Sequence, residues 1–211
     1  ETTAYHTLAH SIIEHASGPI RISPICSKHF KDFFNRPRDD KQSNDFSFTR
    51  FLVPYLNQYD GHAIFMDCDM MLRTDIFEVL KEVDEVDAVT VVKHDYTPSD
   101  MVKYLNKKQY AYPRKNWSSF VVWNCANLKN RKLTPEFVEK ATGLELHRFT
   151  WLDDDEIGEL NVRWNWLVGD YVNPPKNVKN VHWTIGGPYF NEYSKADFSA
   201  EWFEMNKRMN F

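Results

Sequence analysis

An apolar run, His62-Ala63-Ile64-Phe65-Met66, ends abruptly in Asp67-Cys68-Asp69. It reads as a buried strand that delivers two carboxylates to its rim. Side chains two apart on a strand share a side, so Asp67 and Asp69 can converge on one cation while Cys68 faces the other way. Hard carboxylate oxygens suit magnesium or manganese, and a bound divalent ion in turn suits a diphosphate. In open α/β sheets, ligands gather at the carboxyl ends of strands, which is where this pair would sit. A D-x-D alone has a plainer reading, in which one Asp caps a helix beginning near Thr74-Asp75 and the other is solvated.

Three further stretches bear on that chemistry. In Val181-His182-Trp183-Thr184-Ile185-Gly186-Gly187-Pro188, a histidine at a strand end precedes a glycine pair. A neutral imidazole is a candidate third ligand, and Gly186 and Gly187 would let backbone amides approach a phosphate. The plain alternative is a surface His before a Gly-Pro turn. In Asp153-Asp154-Asp155-Glu156, acids crowded into a cleft would supply a general base, whereas acid runs also serve as solvated helix starts. Lys115-Asn116-Trp117-Ser118-Ser119 can hydrogen-bond hydroxyls and stack on a ring, or form an ordinary loop.

These residues need elements to hold them. Apolar side chains at Ala4, Tyr5, Leu8, Ala9, Ile12, Ile13 and Ala16 predict a helix over residues 2–16, stopped by Ser17-Gly18-Pro19. Ile20 to Ser23 alternates as a short strand, and Arg36 to Asp45 is a polar loop able to act as a lid. Helices are predicted over 47–59, bent by Pro54, and over 75–83, 99–106, 134–141 and 197–209. Strands are predicted over 87–93, 119–123 and 181–184, besides the one ending at Asp67. Alternating strands and helices point to an α/β domain with a central, mostly parallel sheet, mixed edge strands and flanking helices.

With 211 residues and 42% hydrophobic content, the chain can bury one substantial core, so residues 1–211 read as a single domain that can belong to a longer chain. A net charge of -4 with interspersed signs argues against a phosphate-binding surface for nucleic acid. Three cysteines without a C-x-x-C pattern fit a reducing compartment. No apolar run approaches the roughly 20 residues of a membrane span, and no signal peptide is visible, so a cytoplasmic location is expected. The start at Glu1 rather than Met reads as processed or trimmed.

Together, Asp67-Cys68-Asp69, the Asp153-Asp154-Asp155 run, Trp164-Asn165-Trp166 and His182 followed by Gly186-Gly187-Pro188 resemble the nucleotide-sugar glycosyltransferases of the GT-A fold. Within them the family-eight-like enzymes are most similar, including virus-encoded members, for which the cytoplasm would be the host's. The resemblance runs from the first helix to about Phe190. It implies manganese, with magnesium as a substitute, held on the diphosphate of a UDP-sugar by Asp67, Asp69 and His182. It implies Arg50 near the nucleotide or donor sugar, and Ser118 and Ser119 along the sugar site. Asp153, Asp154 and Asp155 take the place of an Asp-Gln-Asp segment beside the anomeric carbon. The sequence departs from the family in two respects. The family's first strand and nucleotide-contacting loop would lie before Glu1, and Asp154 stands where retaining relatives carry Gln, which leaves a base for inversion and a nucleophile both open.

The expected activity is metal-dependent transfer of a hexose or deoxyhexose, glucose- or rhamnose-like, from a UDP-sugar to a glycan hydroxyl in glycoprotein glycan synthesis, by a monomer. A sugar nucleotidyltransferase, releasing pyrophosphate, is the rival enzyme. A non-catalytic glycan-binding module, suited by the seven Trp and ten Tyr, is the rival of another class.

Overall fold

The structure is a computed structural model that describes residues 2–37, 47–95, 102–103, 107–108 and 113–209. Helix α1 (Thr2–His15) opens the chain. A 3-10 turn Thr49–Leu52 and the short α2 (Val53–Leu56) lead into β1 (His62–Met66), followed by β2 (Met70–Leu72), the 3-10 segment Ile76–Glu82 and β3 (Val89–Val91). The hairpin β4 (Val102–Lys103) and β5 (Lys107–Lys108) precedes β6 (Phe120–Asn124), α3 (Pro135–Lys140), α4 (Gly143–His147) and β7 (Ile157–Glu159). The chain closes with β8 (Trp166–Leu167), β9 (Asn180–His182) and α5 (Ser199–Arg208).

Two sheets carry the fold. The first has the order β1-β6-β3-β7 and the second β2-β9-β8. In the first, β6 runs antiparallel to both β1 and β3, while β7 runs parallel to β3. Three of the four strands therefore share one direction, as expected. In the second sheet the edge strand β2 runs antiparallel to β9, while in the first the antiparallel strand is internal. Its residues Phe120 to Trp123 are all buried, and a strand covered on both faces reads as a continuous apolar run whichever way it points.

The chain crosses from the first sheet to the second in the three residues Asp67-Cys68-Asp69, between β1 and β2. Helix α1 packs on β2 through Ser11, whose hydroxyl donates to Leu8 O at 2.7 Å and accepts from Leu72 N at 3.0 Å. Asn206 of α5 donates to Thr7 Oγ1 at 2.8 Å, so the first and last helices brace each other. Six of the tryptophans, all but Trp117, are buried, and Trp151 stacks on Trp123 at 6.5 Å with the rings 9° apart. The tryptophans, at least, are spent chiefly on the core.

Other expectations are corrected locally. Among the described residues Ile20–Ser23 pairs with no strand. The helix over 47–59 breaks into the 3-10 turn and α2, and the one over 75–83 is a 3-10 segment capped by Asp75, whose Oδ1 accepts from Phe77 N at 3.1 Å. That capping duty falls to neither Asp67 nor Asp69. Within 99–106, Val102–Lys103 is strand rather than helix. Of the expected lid, residues 38–45 lie outside the described residues, while Arg36 donates to Val138 O and Ala141 O, both at 2.6 Å, closing the end of α3. Among the described residues no helix is long and apolar enough to cross a membrane.

Candidate functional site

The register of the second sheet builds the site. Met70 of β2 pairs with His182 of β9, which sets Asp69, one step before β2, opposite Trp183, and its carboxylate reaches across to His182 Nε2 at 3.3 Å. Trp183 N donates to Asp69 O at 3.0 Å and fixes the crossing. On the other flank, Asp67 N donates to Ser119 O at 3.0 Å, extending the β1–β6 ladder by one step. Asp67, Asp69 and His182 consequently present one ligand atom each, all within 4.8 Å of one another. Two carboxylate oxygens and an imidazole nitrogen form a set that manganese accepts, with magnesium favouring the oxygens.

The electrostatics fit a cation. Burial pushes the Asp67 carboxyl above the usual carboxylate range; Arg50 opposes the shift, Asp69 adds to it and His182 opposes it. Arg50 Nη1 donates to Asp67 Oδ2 at 3.1 Å, while Nη2 lies 2.8 Å from Oδ1 without the alignment of a hydrogen bond. Asp67 Oδ1 is thus a buried oxygen with acceptor capacity in hand, as a metal ligand requires. His182 is 2% exposed; its Nε2 lies 3.3 Å from Asp69 Oδ1, and its Nδ1 is 2.9 Å from Asn165 Oδ1.

Arg50 is placed beside this cluster but is engaged by protein. Besides Asp67, its Nε donates to Ser47 O at 3.0 Å and its Nη1 to Ser118 O at 2.9 Å. Ser118 and Ser119 are buried next to it. Ser118 Oγ lies 2.7 Å from His147 Nδ1, and Ser119 Oγ donates to Asn116 O at 2.7 Å. Both hydroxyls are committed to internal partners.

Gly186 and Gly187 follow β9 closely, but their bare faces are covered by protein. A Cβ at Gly186 would lie 2.3 Å from the Tyr193 ring, and one at Gly187 would lie 2.2 Å from that of Tyr189. Here the glycines accommodate two tyrosines.

The structure does not bring Asp153, Asp154 and Asp155 to the cluster. Ile157, which follows them, aligns with Val89, then Trp123, then Ala63, the entry half of β1. Asp67 leaves β1 at the opposite end. All three acids are exposed, in a turn where Glu156 Oε2 accepts from Asp153 N at 2.8 Å. Lys129 Nζ pairs with Glu156 at 2.8 Å, and Arg114 pairs with Asp154.

Three further residues stand near the site that the sequence did not single out as site residues. Asn165 is fully buried between His182 and Ser119, donating from Nδ2 to Ser119 Oγ at 2.8 Å. His94, after β3, has its Nδ1 2.7 Å from the Tyr171 hydroxyl; burial and the proximity of His182 lower its pKa to about 3. His147 is lowered to about 3 by burial and by Arg50 and Arg36. A buried polar residue carries no periodic signal, so none of the three could be assigned to the site from sequence alone.

No protein-family model matches this sequence. It is 41% identical over 216 residues to Protein CDI of Arabidopsis thaliana, covering 100% of this chain and 83% of that one. Among solved structures it is similar to the WbbM bifunctional glycosyltransferase in its apo form (TM-score 0.63, 15% identity), over 97% of this chain and 47% of that one. It is also similar to the galactosyltransferase LgtC in complex with donor and acceptor sugar analogs (TM-score 0.62, 13% identity), over 99% of this chain and 93% of that one. A third is the apo-form glycosyltransferase GlyE of Streptococcus pneumoniae TIGR4 (TM-score 0.60, 16% identity), over 97% of this chain and 57% of that one. The chain spans less than half the length of the WbbM structure. At such identities the likeness is one of fold, and the fold is GT-A.

Proposed function

The chain belongs to the family of Protein CDI, and from a GT-A fold that gathers Asp67, Asp69 and His182 in one cluster we propose that it is a metal-dependent glycosyltransferase. The convergence of those three side chains, where β1 hands over to β2 and β9 ends, is the observation that carries the reading. The donor is a UDP-sugar carrying a hexose or deoxyhexose, and the acceptor is a hydroxyl of a glycan. Support for the donor class comes from LgtC, a galactosyltransferase seen with donor and acceptor sugar analogs on the same fold.

Manganese or magnesium held by Asp67, Asp69 and His182 would neutralise the charge that grows on departing UDP, without a protonated leaving group. The chain's own residues prepare the place. Arg50 opposes the upward pull of burial on the Asp67 carboxyl and fixes the carboxylate by two contacts. Asn165 holds the imidazole of His182 from behind. The ladder bond from Asp67 N to Ser119 O and the bond from Trp183 N to Asp69 O make the crossing rigid, so the two carboxylates arrive preorganised.

The test is product analysis with a panel of UDP-sugars, manganese and glycan acceptors. Release of UDP with transfer to the acceptor is the expected result. Pyrophosphate released from nucleoside triphosphates would instead assign a nucleotidyltransferase. Glycan binding unaffected by EDTA, without UDP-sugar binding, would assign a binding module.

A further inference from the structure

The nitrogen that His182 turns toward Asp69 is Nε2. A neutral imidazole carries a lone pair there only when its hydrogen is on Nδ1. The hydrogen-bond polarity behind the ring, on the side away from Asp69, can be followed from a backbone carbonyl. Asn116 O can only accept, so Ser119 Oγ, 2.7 Å away, spends its one proton on it. The Ser119 oxygen is then an acceptor toward Asn165, and the side-chain atom facing it at 2.8 Å must be Nδ2. That turns Asn165 Oδ1 toward the ring, 2.9 Å from His182 Nδ1. An amide oxygen requires a donor, so Nδ1 bears the hydrogen.

The relay is sealed from solvent. Asn165 is 0% exposed, His182 2% and Ser119 3%, so water is poorly placed to take over a broken link. An Asn amide has nearly the same shape when rotated by half a turn, and the identity of its partners decides its orientation. Ser119 therefore holds the amide the right way round.

We propose that Asn165 and Ser119 are positioning residues that lock His182 as the Nδ1–H tautomer and aim its Nε2 lone pair at the Asp67–Asp69 cluster. The tautomer follows from the hydrogen bonds alone, and only its consequence for metal affinity rests on the function proposed above. Groups behind a ligating histidine commonly contribute about 10–100-fold in metal affinity.

The experiment uses the chain labelled with nitrogen-15 at histidine. Long-range proton–nitrogen correlation spectra of the metal-free protein, recorded where the ring is neutral, read the tautomer of His182 directly. Free manganese, counted by electron paramagnetic resonance, reads affinity without turnover. Wild type should show Nδ1–H. Asn165→Asp keeps an acceptor behind the ring and should keep both the tautomer and manganese binding. Asn165→Leu removes it and should weaken manganese about 10–100-fold. Ser119→Ala frees the amide to rotate and should give a mixture of tautomers with an intermediate loss.

Nε2–H in wild type would overturn the proposal, as would a folded Asn165→Leu variant that binds manganese like wild type. If Asn165→Leu does not fold, the wild-type and Ser119→Ala spectra still decide. Wild type that shows Nδ1–H yet binds no manganese would uphold the relay and overturn the metal reading.

Discussion

Arg50 meets Asp67 at two points, Nη1 to Oδ2 at 3.1 Å and Nη2 to Oδ1 at 2.8 Å, with side-chain exposures of 7% and 17%. The first carboxylate of the D-x-D is therefore set in place by a buried cation before any ligand arrives. The sequence resemblance points Arg50 toward the nucleotide or donor sugar, whereas the guanidinium is occupied by Asp67, Ser47 O and Ser118 O.

Removing that cation leaves Asp67 buried without its counter-ion. Arg50→Ala should lower stability by about 3–5 kcal/mol in urea unfolding at pH 7, as breaking a buried pair does. Arg50→Lys, which keeps the charge without the fork, should fall between. A loss below about 1 kcal/mol for Arg50→Ala would place the pair among surface bridges.

His147 makes stability depend on acid. Its ring packs against Phe51 at 5.2 Å and Phe48 at 5.9 Å, and its folded pKa is lowered to about 3. In the unfolded chain it takes a proton near pH 6.5. The unfolded state then binds more protons, so this contribution is complete above about pH 6.5 and is lost as the pH falls toward 3, with a slope of about 1.4 kcal/mol per pH unit. Denaturant midpoints measured from pH 7 to pH 5 should show that slope removed in His147→Gln. Parallel profiles for the two proteins would contradict it.

Gly158 lies in β7 opposite Thr90, where an added Cβ would fall 1.8 Å from Asp87 Oδ2 and 2.8 Å from Thr90 Cγ2. Thr90 is buried and cannot move away cheaply. Gly158→Ala should cost about 1–3 kcal/mol by overpacking. Thermal unfolding of Gly158→Ala beside Gly158→Ala/Asp87→Ala checks this, since the double variant should recover part of the loss.

The Asp153-Asp154-Asp155 run is exposed and lies at the opposite end of the sheet from Asp67. Asp154→Asn breaks a surface pair with Arg114, which should change stability by less than about 1 kcal/mol. It should also leave manganese-dependent UDP binding as in wild type. A tenfold loss of UDP affinity would restore the run to the site.

What could be read from sequence differed by residue. Asp67 and Asp69 were legible because an apolar strand ends in charges at a spacing of two, and the structure keeps them on one cluster. His182 was legible as a strand-end histidine, but its partner depends on the pairing of Met70 with His182, and Met70-Met71-Leu72 is too short and too uniformly apolar to show a period. The internal antiparallel strand was illegible for the same reason: burial on both faces erases alternation. Ile20–Ser23 had alternation but, among the described residues, no neighbouring strand to pair with. Asn165 and His147 are fixed by contacts far along the chain, to Ser119 and Ser118, which no local pattern encodes.

Calorimetric titration of UDP into the protein with manganese, with EDTA, and with manganese in the Asp69→Ala variant tests the metal-held diphosphate most directly. Binding should require manganese and be lost in both other cases. Equal binding in EDTA, or undiminished binding by Asp69→Ala, would contradict a diphosphate held through a metal at Asp67, Asp69 and His182.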